Sequence, residues 1–178
     1  MTSMRYTSPA IGLHWLMACL LISLFVLGLY MSDLPPSPWK SSVYGWHKWA
    51  GVTAFLLVLI RLTWRFTKQP PAFPASMTKS MQLAAHAGHG LLYLLMIAIP
   101  LSGWLMSSAK GYQTIWFGIL PIPDLLDKNP EMFEFLQKVH ETLNYMLAAL
   151  VIGHAVAAIK HHVLDKDDVL RRMLPWRT

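Results

Sequence analysis

Histidine is the residue type in this chain that could carry chemistry, and there are eight of them. Six lie in or at the ends of long apolar stretches: His14, His47, His86, His89, His140 and His154. The other two, His161 and His162, follow the last such stretch. A neutral imidazole binds metals through a ring nitrogen and exchanges protons near neutral pH. A lone histidine in an apolar helix more often bonds to a neighbouring helix, but six together indicate a functional site.

The composition places these histidines in a membrane protein. Of the 178 residues, 54% are hydrophobic and only 13% are charged, whereas soluble domains carry about 25% charged residues. The mean hydropathy of +0.40 agrees, so a soluble enzyme is disfavoured. The net charge of +6 would suit nucleic acid, but the apolar content predicts membrane lipid as the surroundings and no nucleic-acid partner. The single cysteine, Cys19, excludes a disulfide framework and every Cys-x-x-Cys site.

Four apolar spans are long enough to cross a bilayer as helices, which takes roughly 20 residues each. They cover about 11–31, 46–64, 82–107 and 139–160. The first is longer than the apolar region of a signal peptide and lacks a small-residue cleavage site, so we expect it to be retained. Pro100 predicts a kink in the third, and the Asp124–Gln137 stretch could start a short amphipathic helix. The chain is therefore predicted to be an all-α, integral-membrane four-helix bundle in one domain.

The distribution of basic residues predicts the orientation of the bundle. With the N-terminus inside, the cytoplasmic segments carry ten of the 15 lysines and arginines: Arg5, Arg61, Arg65, Lys68, Lys79, Lys160, Lys166, Arg171, Arg172 and Arg177. The outer segments carry the other five: Lys40, Lys48, Lys110, Lys128 and Lys138. The positive-inside rule therefore favours two cytoplasmic termini.

The depth of the histidines sorts four of them into two levels. His140 lies at the outer end of the fourth span, and His154 follows 14 residues later, about 21 Å deeper at about 1.5 Å per residue. Because 14 residues at about 100° each come within about 40° of four turns, the two share a helix face. His47 lies at the outer level and His14 at the inner one. Each level therefore offers two imidazoles from different helices.

Two facing imidazoles at one level are what a haem iron with two histidine ligands requires, and a helix bundle supplies them from facing helices. Gly51 lies one turn after His47 on the same face, where a side chain would crowd a haem plane. Tetrahedral zinc is the alternative metal. Zinc usually takes cysteine or carboxylate ligands as well, and the only such residue beside a histidine pair is Glu141, next to His140. A histidine-lined proton or metal carrier is a further alternative. Three more glycines flank histidines and could serve the haem or close helix packing: Gly12, Gly88 and Gly153.

The remaining four histidines are candidates for a quinone site at the inner level. A quinone headgroup needs hydrogen-bond donors for its carbonyls and a proton source on reduction, and histidine provides both. His86 and His89 are spaced i, i+3 near the cytoplasmic end of the third span. His161 and His162 follow His154 on its face, nearer the cytoplasm. An interhelical hydrogen bond for the first two, or a solvated basic helix end for the last two, is the alternative.

The chain resembles the bacterial cytochrome b561 family, small four-helix di-haem proteins of the inner membrane, over nearly its whole length. The motifs that carry the resemblance are Leu13-His14-Trp15-Leu16, Trp46-His47-Lys48 with Gly51, Ala85-His86-Ala87-Gly88-His89, His140-Glu141-Thr142, Gly153-His154, and the tail from His161-His162 through Asp165-Lys166-Asp167 to Leu170 and Met173. The resemblance implies two haem b groups, the outer iron held by His47 and His140 and the inner iron by His14 and His154. It also implies a multi-pass protein of the bacterial inner (cytoplasmic) membrane.

One activity within that family is superoxide oxidation, in which superoxide gives an electron on the periplasmic side and ubiquinone accepts electrons near the inner haem. The resemblance therefore implies a superoxide:ubiquinone oxidoreductase, with Lys48 and Lys110 as basic candidates for steering the anion. The 14-residue spacing in the fourth span is also similar to the cytochrome b subunits that anchor respiratory formate dehydrogenases and hydrogenases. A haem-bearing anchor that relays electrons for a separate periplasmic redox protein is therefore the alternative function.

Overall fold

The computed structural model describes residues 5–175, and its main elements are four long helices in chain order. They are α1 Ser8–Asp33, α2 Pro38–Thr67, α3 Lys79–Lys110 and α4 Pro130–Val163. All four are long and apolar enough to cross a membrane, and each contains one of the spans expected from the sequence. The predicted all-α membrane bundle is confirmed. Cytoplasmic termini stay a prediction, and Arg177, which contributes to it, lies outside the described residues.

The helices begin where proline and a polar cap allow it. Proline occupies the first turn of α2 and of α4, where its missing N–H has no helical partner to lose. Ser37 caps α2 by accepting from the Lys40 amide, and Asn129 caps α4 by accepting from the Met132 amide. The expected helical start within Asp124–Gln137 is therefore partly wrong. The helix begins only at Pro130, and Asn129 before it has an extended backbone, as expected for a residue that precedes proline.

Pro100 lies inside α3, which continues unbroken to Lys110. The helix ends at Gly111, which adopts a φ of +79°, a conformation that glycine reaches without steric cost. A short antiparallel hairpin follows, with β1 Ile115–Trp116 paired to β2 Leu120–Pro121. This hairpin was not expected from the sequence.

The core is a single cluster in the middle of the bundle. α3 packs along α4, α1 along α2, and α2 on α3, while the backbone of α4 approaches those of α1 and α2 at few points. Leu147, midway between His140 and His154, belongs to the central cluster. The cluster consists of Met17, Val58, Leu95, Met96 and Leu147. The two histidine levels therefore lie on either side of the packed core, where α4 stands apart from α1 and α2.

Each end of the bundle is closed by a connecting segment. At the outer end, the Trp49 indole donates to the Ile115 carbonyl at 2.6 Å, and Trp116 donates back to the Trp49 carbonyl at 3.2 Å. At the inner end, the segment after α4 turns back, and the Trp15 indole donates to the Met173 carbonyl at 2.8 Å. The first half of α1 and the segment around Met173 therefore lie at the same end of the bundle.

Candidate metal centre

Two pairs of imidazoles lie edge-on to one another, each joining α4 to one of the first two helices. His14 of α1 and His154 of α4 have ring centres 6.3 Å apart, with the ring planes at 64°. His47 of α2 and His140 of α4 have ring centres 6.4 Å apart, with the planes at 79°. These are the pairs that the depth of the histidines predicts, one at each level.

The separation between the ring centres suits one metal ion between two opposed imidazoles. A metal–nitrogen bond is about 2 Å and the ring centre lies about 1.2 Å further, so opposed ligands have centres about 6.4 Å apart. Within residues 5–175, no third histidine, cysteine or carboxylate joins either pair at metal-binding distance. A closed tetrahedral zinc site needs four ligands, so the donor set fits an iron held by two histidines and a macrocycle.

The hydrogen bonds around the outer pair leave ring nitrogens of His47 and His140 free to bind a metal. Nδ1 of His140 lies 3.1 Å from the Ile99 carbonyl and 2.9 Å from the Ser102 hydroxyl. With the Nδ1 proton donated there, Nε2 keeps its lone pair, which is how metal-binding histidines are usually oriented. Nδ1 of His47 is buried and has no hydrogen-bond partner. Such orphaned buried groups are rare in native proteins, so His47 also fits a site that a further group completes.

Two glycines leave space for the imidazoles of the outer pair, because a larger residue at either position would contact the ring. A Cβ at Gly103 of α3 would lie 3.1 Å from Cε1 of His140, and one at Gly28 of α1 would lie 3.5 Å from Cε1 of His47. Neither glycine was singled out from the sequence, because the contact depends on the rotation of one helix against another. The glycines that were singled out behave differently, since a Cβ there would meet nothing within 4 Å: Gly12, Gly51, Gly88 and Gly153. Open space beside Gly51, on the His47 face, also fits a macrocycle.

The inner pair differs from the outer pair in its hydrogen bonds. Nη2 of Arg61 lies 3.0 Å from Nδ1 of His14. A guanidinium only donates, so Nδ1 accepts and Nε2 of a neutral ring carries the proton. His14 therefore binds a metal through Nε2 only after Arg61 moves away or the ring loses that proton. The sequence gives no sign of this contact, because Arg61 and His14 are 47 positions apart.

The four quinone candidates have different surroundings. The His89 ring centre is 5.4 Å from that of His154, which is too close for the opposed geometry of two ligands on one iron. His86 is exposed and packs edge-on against Phe73, with the ring centres 5.0 Å apart. His161 donates from Nδ1 into a pair of carboxylates, 2.7 Å from Asp167 and 3.1 Å from Asp165. His162 is half-buried beside it.

Two of the outer lysines, Lys48 and Lys110, both contact Tyr112. Nζ of Lys48 donates to the Tyr112 carbonyl at 3.1 Å, and Nζ of Lys110 lies 5.7 Å from the centre of the Tyr112 ring. Lys110 and Lys128 line the same surface pocket, and Asp124 is the acidic neighbour of Lys48. The fold thus assembles a lysine patch from Lys48, Lys110 and Lys128, which is not visible in the sequence because the outer segments as a whole also carry acidic residues.

Comparison with known proteins adds one family match and three relatives. The family model described as prokaryotic cytochrome b561 matches residues 5–176. The chain is 36% identical to "Cytochrome b561 homolog 2" of Escherichia coli K12, over 97% of this chain and 93% of that protein. It is 29% identical to "Probable superoxide oxidase CybB" of Yersinia pestis, over 96% of each. "Cytochrome b561 homolog 1" of Escherichia coli K12 is 28% identical over 97% of this chain and 98% of that protein.

Proposed function

The chain belongs to the prokaryotic cytochrome b561 family of haem-binding membrane bundles, and we propose that it carries electrons through two haem b groups from its outer face to ubiquinone. The donor in this proposal is superoxide. Two superoxide anions give up one electron each and leave as dioxygen, while one ubiquinone takes two electrons and two protons and becomes ubiquinol. The protein sits in the bacterial inner membrane as one domain, with both termini in the cytoplasm.

The observation that carries the proposal is the pair of nearly equal ring separations, 6.3 Å and 6.4 Å, at two levels of one bundle. His47 and His140 hold the outer iron, and His14 and His154 hold the inner one. When bound, each haem supplies one-electron ferric–ferrous chemistry. The chain keeps water out between the two levels through its central cluster, of which Leu147 lies midway along α4. Because the levels are about 21 Å apart along α4 by helix rise, two haems at these positions divide the electron path across the membrane.

The lysine patch supports an anionic donor at the outer face. Superoxide carries one negative charge, and a local positive potential raises both its concentration and its encounter rate. Lys48 is adjacent in sequence to the outer ligand His47, so the patch lies at the outer level. The name of the relative from Yersinia pestis supports the same donor for this chain.

The cytoplasmic histidines support quinone reduction at the inner face. Reduction of a quinone needs a proton source beside its carbonyl oxygens, and an imidazole held by carboxylates can deliver a proton and recover it. His161 is such a group, because Asp167 and Asp165 both contact its Nδ1. His86, His89 and His162 lie at the same end of the bundle and are the other candidates for contact with the headgroup.

The outer hairpin favours a second function, that of an anchor which relays electrons for a periplasmic redox protein. Its turn exposes apolar side chains, with Ile119 85% exposed and Phe117 55% exposed. Exposed apolar groups at the end of a domain are typical of an interaction surface or of contact with the membrane interface. A partner seated there would deliver electrons close to the outer level.

The test follows both half-reactions in one cuvette. The purified oxidised protein is mixed with superoxide, the visible haem bands are recorded, and a ubiquinone analogue is then added. Reduction by superoxide followed by reoxidation by the quinone supports the self-contained enzyme. Haems that superoxide leaves oxidised, although dithionite reduces them, contradict it and favour the anchor. His140→Ala, which removes an outer ligand, is the matched control and should stop reduction by superoxide while sparing the inner haem.

A further inference from the structure

Two arginines at the inner level have no carboxylate partner among residues 5–175. Arg61 and Arg65 are one helical turn apart on α2, and each guanidinium lies 5.7 Å from the centre of the Tyr93 ring. The ion pairs of the described chain belong to Lys160, His161 and Arg172 instead. Both arginines are half-buried. Two like charges four residues apart on a helix repel, and partly buried charge is costly without a counter-ion.

Arg61 points towards the inner imidazole pair rather than away from the bundle. An arginine that reaches a lipid headgroup extends away from the bundle towards the interface. Arg61 instead donates to Nδ1 of His14, whose ring faces His154 across the interior gap. An anion bound by Arg61 would therefore lie beside the inner imidazole pair. Haem b carries two carboxylates on its edge, and guanidinium–carboxylate pairs are among the stronger hydrogen-bonded contacts in proteins.

We propose that Arg61 and Arg65 bind the propionate carboxylates of the inner haem, and that Arg61 exchanges His14 for a carboxylate when that haem enters. The proposal rests on the proposed inner haem site of His14 and His154. The exchange also resolves the hydrogen bonding of His14. Once Arg61 has left Nδ1, the ring proton can move from Nε2 to Nδ1, and the Nε2 lone pair becomes available to iron.

The outer level provides an internal comparison. Among the described arginines, none contacts His47 or His140, and Nδ1 of His140 already has the Ile99 carbonyl as its acceptor. Of the two levels, only the inner one has a pair of uncompensated guanidinium groups. Replacing them should therefore weaken one haem of the two and leave the other in place as evidence of a folded protein.

The test uses Arg61→Gln, Arg65→Gln and the double variant, purified as full chains in the same detergent as the wild type. The readouts are haem per chain and the rate at which haem is lost to an excess of apomyoglobin. Because the variants lose charge-assisted hydrogen bonds to the carboxylates, we expect the double variant to release one haem at least about tenfold faster. Arg61→Lys keeps the charge and should lie in between. Arg171→Gln, an exposed arginine at the same end, should behave as the wild type.

A second arm replaces the carboxylates instead of the arginines. Haem-depleted protein is reloaded with haem or with its dimethyl ester, which has no carboxylate charge. The wild type should take up two haems but retain only one ester tightly, and the double variant should no longer distinguish them at the inner level. Equal retention of haem and ester by the wild type overturns the proposal. So does a double variant that keeps both haems but loses bound anionic lipid, which would assign the arginines to a headgroup.

The outcome separates this proposal from the proposed function. If the wild type binds two haems and His154→Ala loses one, but the arginine variants release haem at the wild-type rate, only the carboxylate site is wrong. If the wild type binds fewer than two haems, the proposed function itself fails.

Discussion

Gly103→Ala should disturb the outer haem while leaving the inner one in place. The added Cβ would lie 3.1 Å from Cε1 and 3.4 Å from Nδ1 of His140, which is closer than ordinary van der Waals contact. Relief requires the ring to shift by a few tenths of an ångström. His140 has little freedom to do so, because its Nδ1 lies 3.1 Å from the Ile99 carbonyl and 2.9 Å from the Ser102 hydroxyl.

The expected magnitude follows from overpacking in a tightly packed site, which costs about 1–3 kcal/mol. At about 1.4 kcal/mol per tenfold change, retention of the outer haem should fall about 5- to 150-fold. Alanine in place of glycine favours a helix by about 1 kcal/mol, so the loss should not arise from a weakened α3. The assay is haem per chain together with release to apomyoglobin, and His140→Ala identifies which haem has gone.

Gly28→Ala is the matched control for this prediction. Its Cβ would lie 3.5 Å from Cε1 of His47, an ordinary contact, so both haems should stay bound with nearly wild-type release rates. Unchanged haem retention in Gly103→Ala would refute the packing of His140 against α3. Equal losses in both variants would mean that the distances to the two imidazoles do not govern haem retention.

The other predictions concern the two faces of the bundle. Lys48→Gln and Lys110→Gln should each slow haem reduction by superoxide, most at low ionic strength. Lys40→Gln is the control and should have no effect, because the Lys40 amine donates to the Leu34 carbonyl. A loss of rate that does not depend on salt would argue against electrostatic steering. His86→Ala and His89→Ala should keep both haems but slow reoxidation by the quinone; unchanged stopped-flow rates would leave these residues with a structural role. Asp167→Asn should slow the same step, because His161 loses the carboxylate that lies 2.7 Å from its Nδ1. If Asp165→Asn, at the more exposed carboxylate, had the larger effect, the assignment to Asp167 would be contradicted.

The features that depend on one segment at a time could be predicted from the sequence. The four spans follow from long stretches with little charge between proline-rich connections, and the helices of the structure contain all four. The shared face of His140 and His154 follows from helical periodicity, since 14 residues close nearly four turns. The pairing with His47 and His14 needed only the level of each residue along its helix.

The features that depend on how segments meet could not be predicted in the same way. The contact of Arg61 with His14 and that of Gly103 with His140 require the rotation of one helix against another, which periodicity within a helix does not determine. Lys128 joins Lys48 and Lys110 only because the outer connection folds back on the bundle. The hairpin at Ile115–Pro121 consists of two-residue strands, too short to produce an alternating pattern.

A haem count on the wild type and on His154→Ala is the measurement that decides whether two haems lie between the two histidine pairs. Haem per chain is measured with a reduced-minus-oxidised visible spectrum on each purified protein. We expect two low-spin b haems in the wild type and one in His154→Ala, with the outer haem still reducible by superoxide. A colourless wild type, or a His154→Ala variant with two haems, would contradict it.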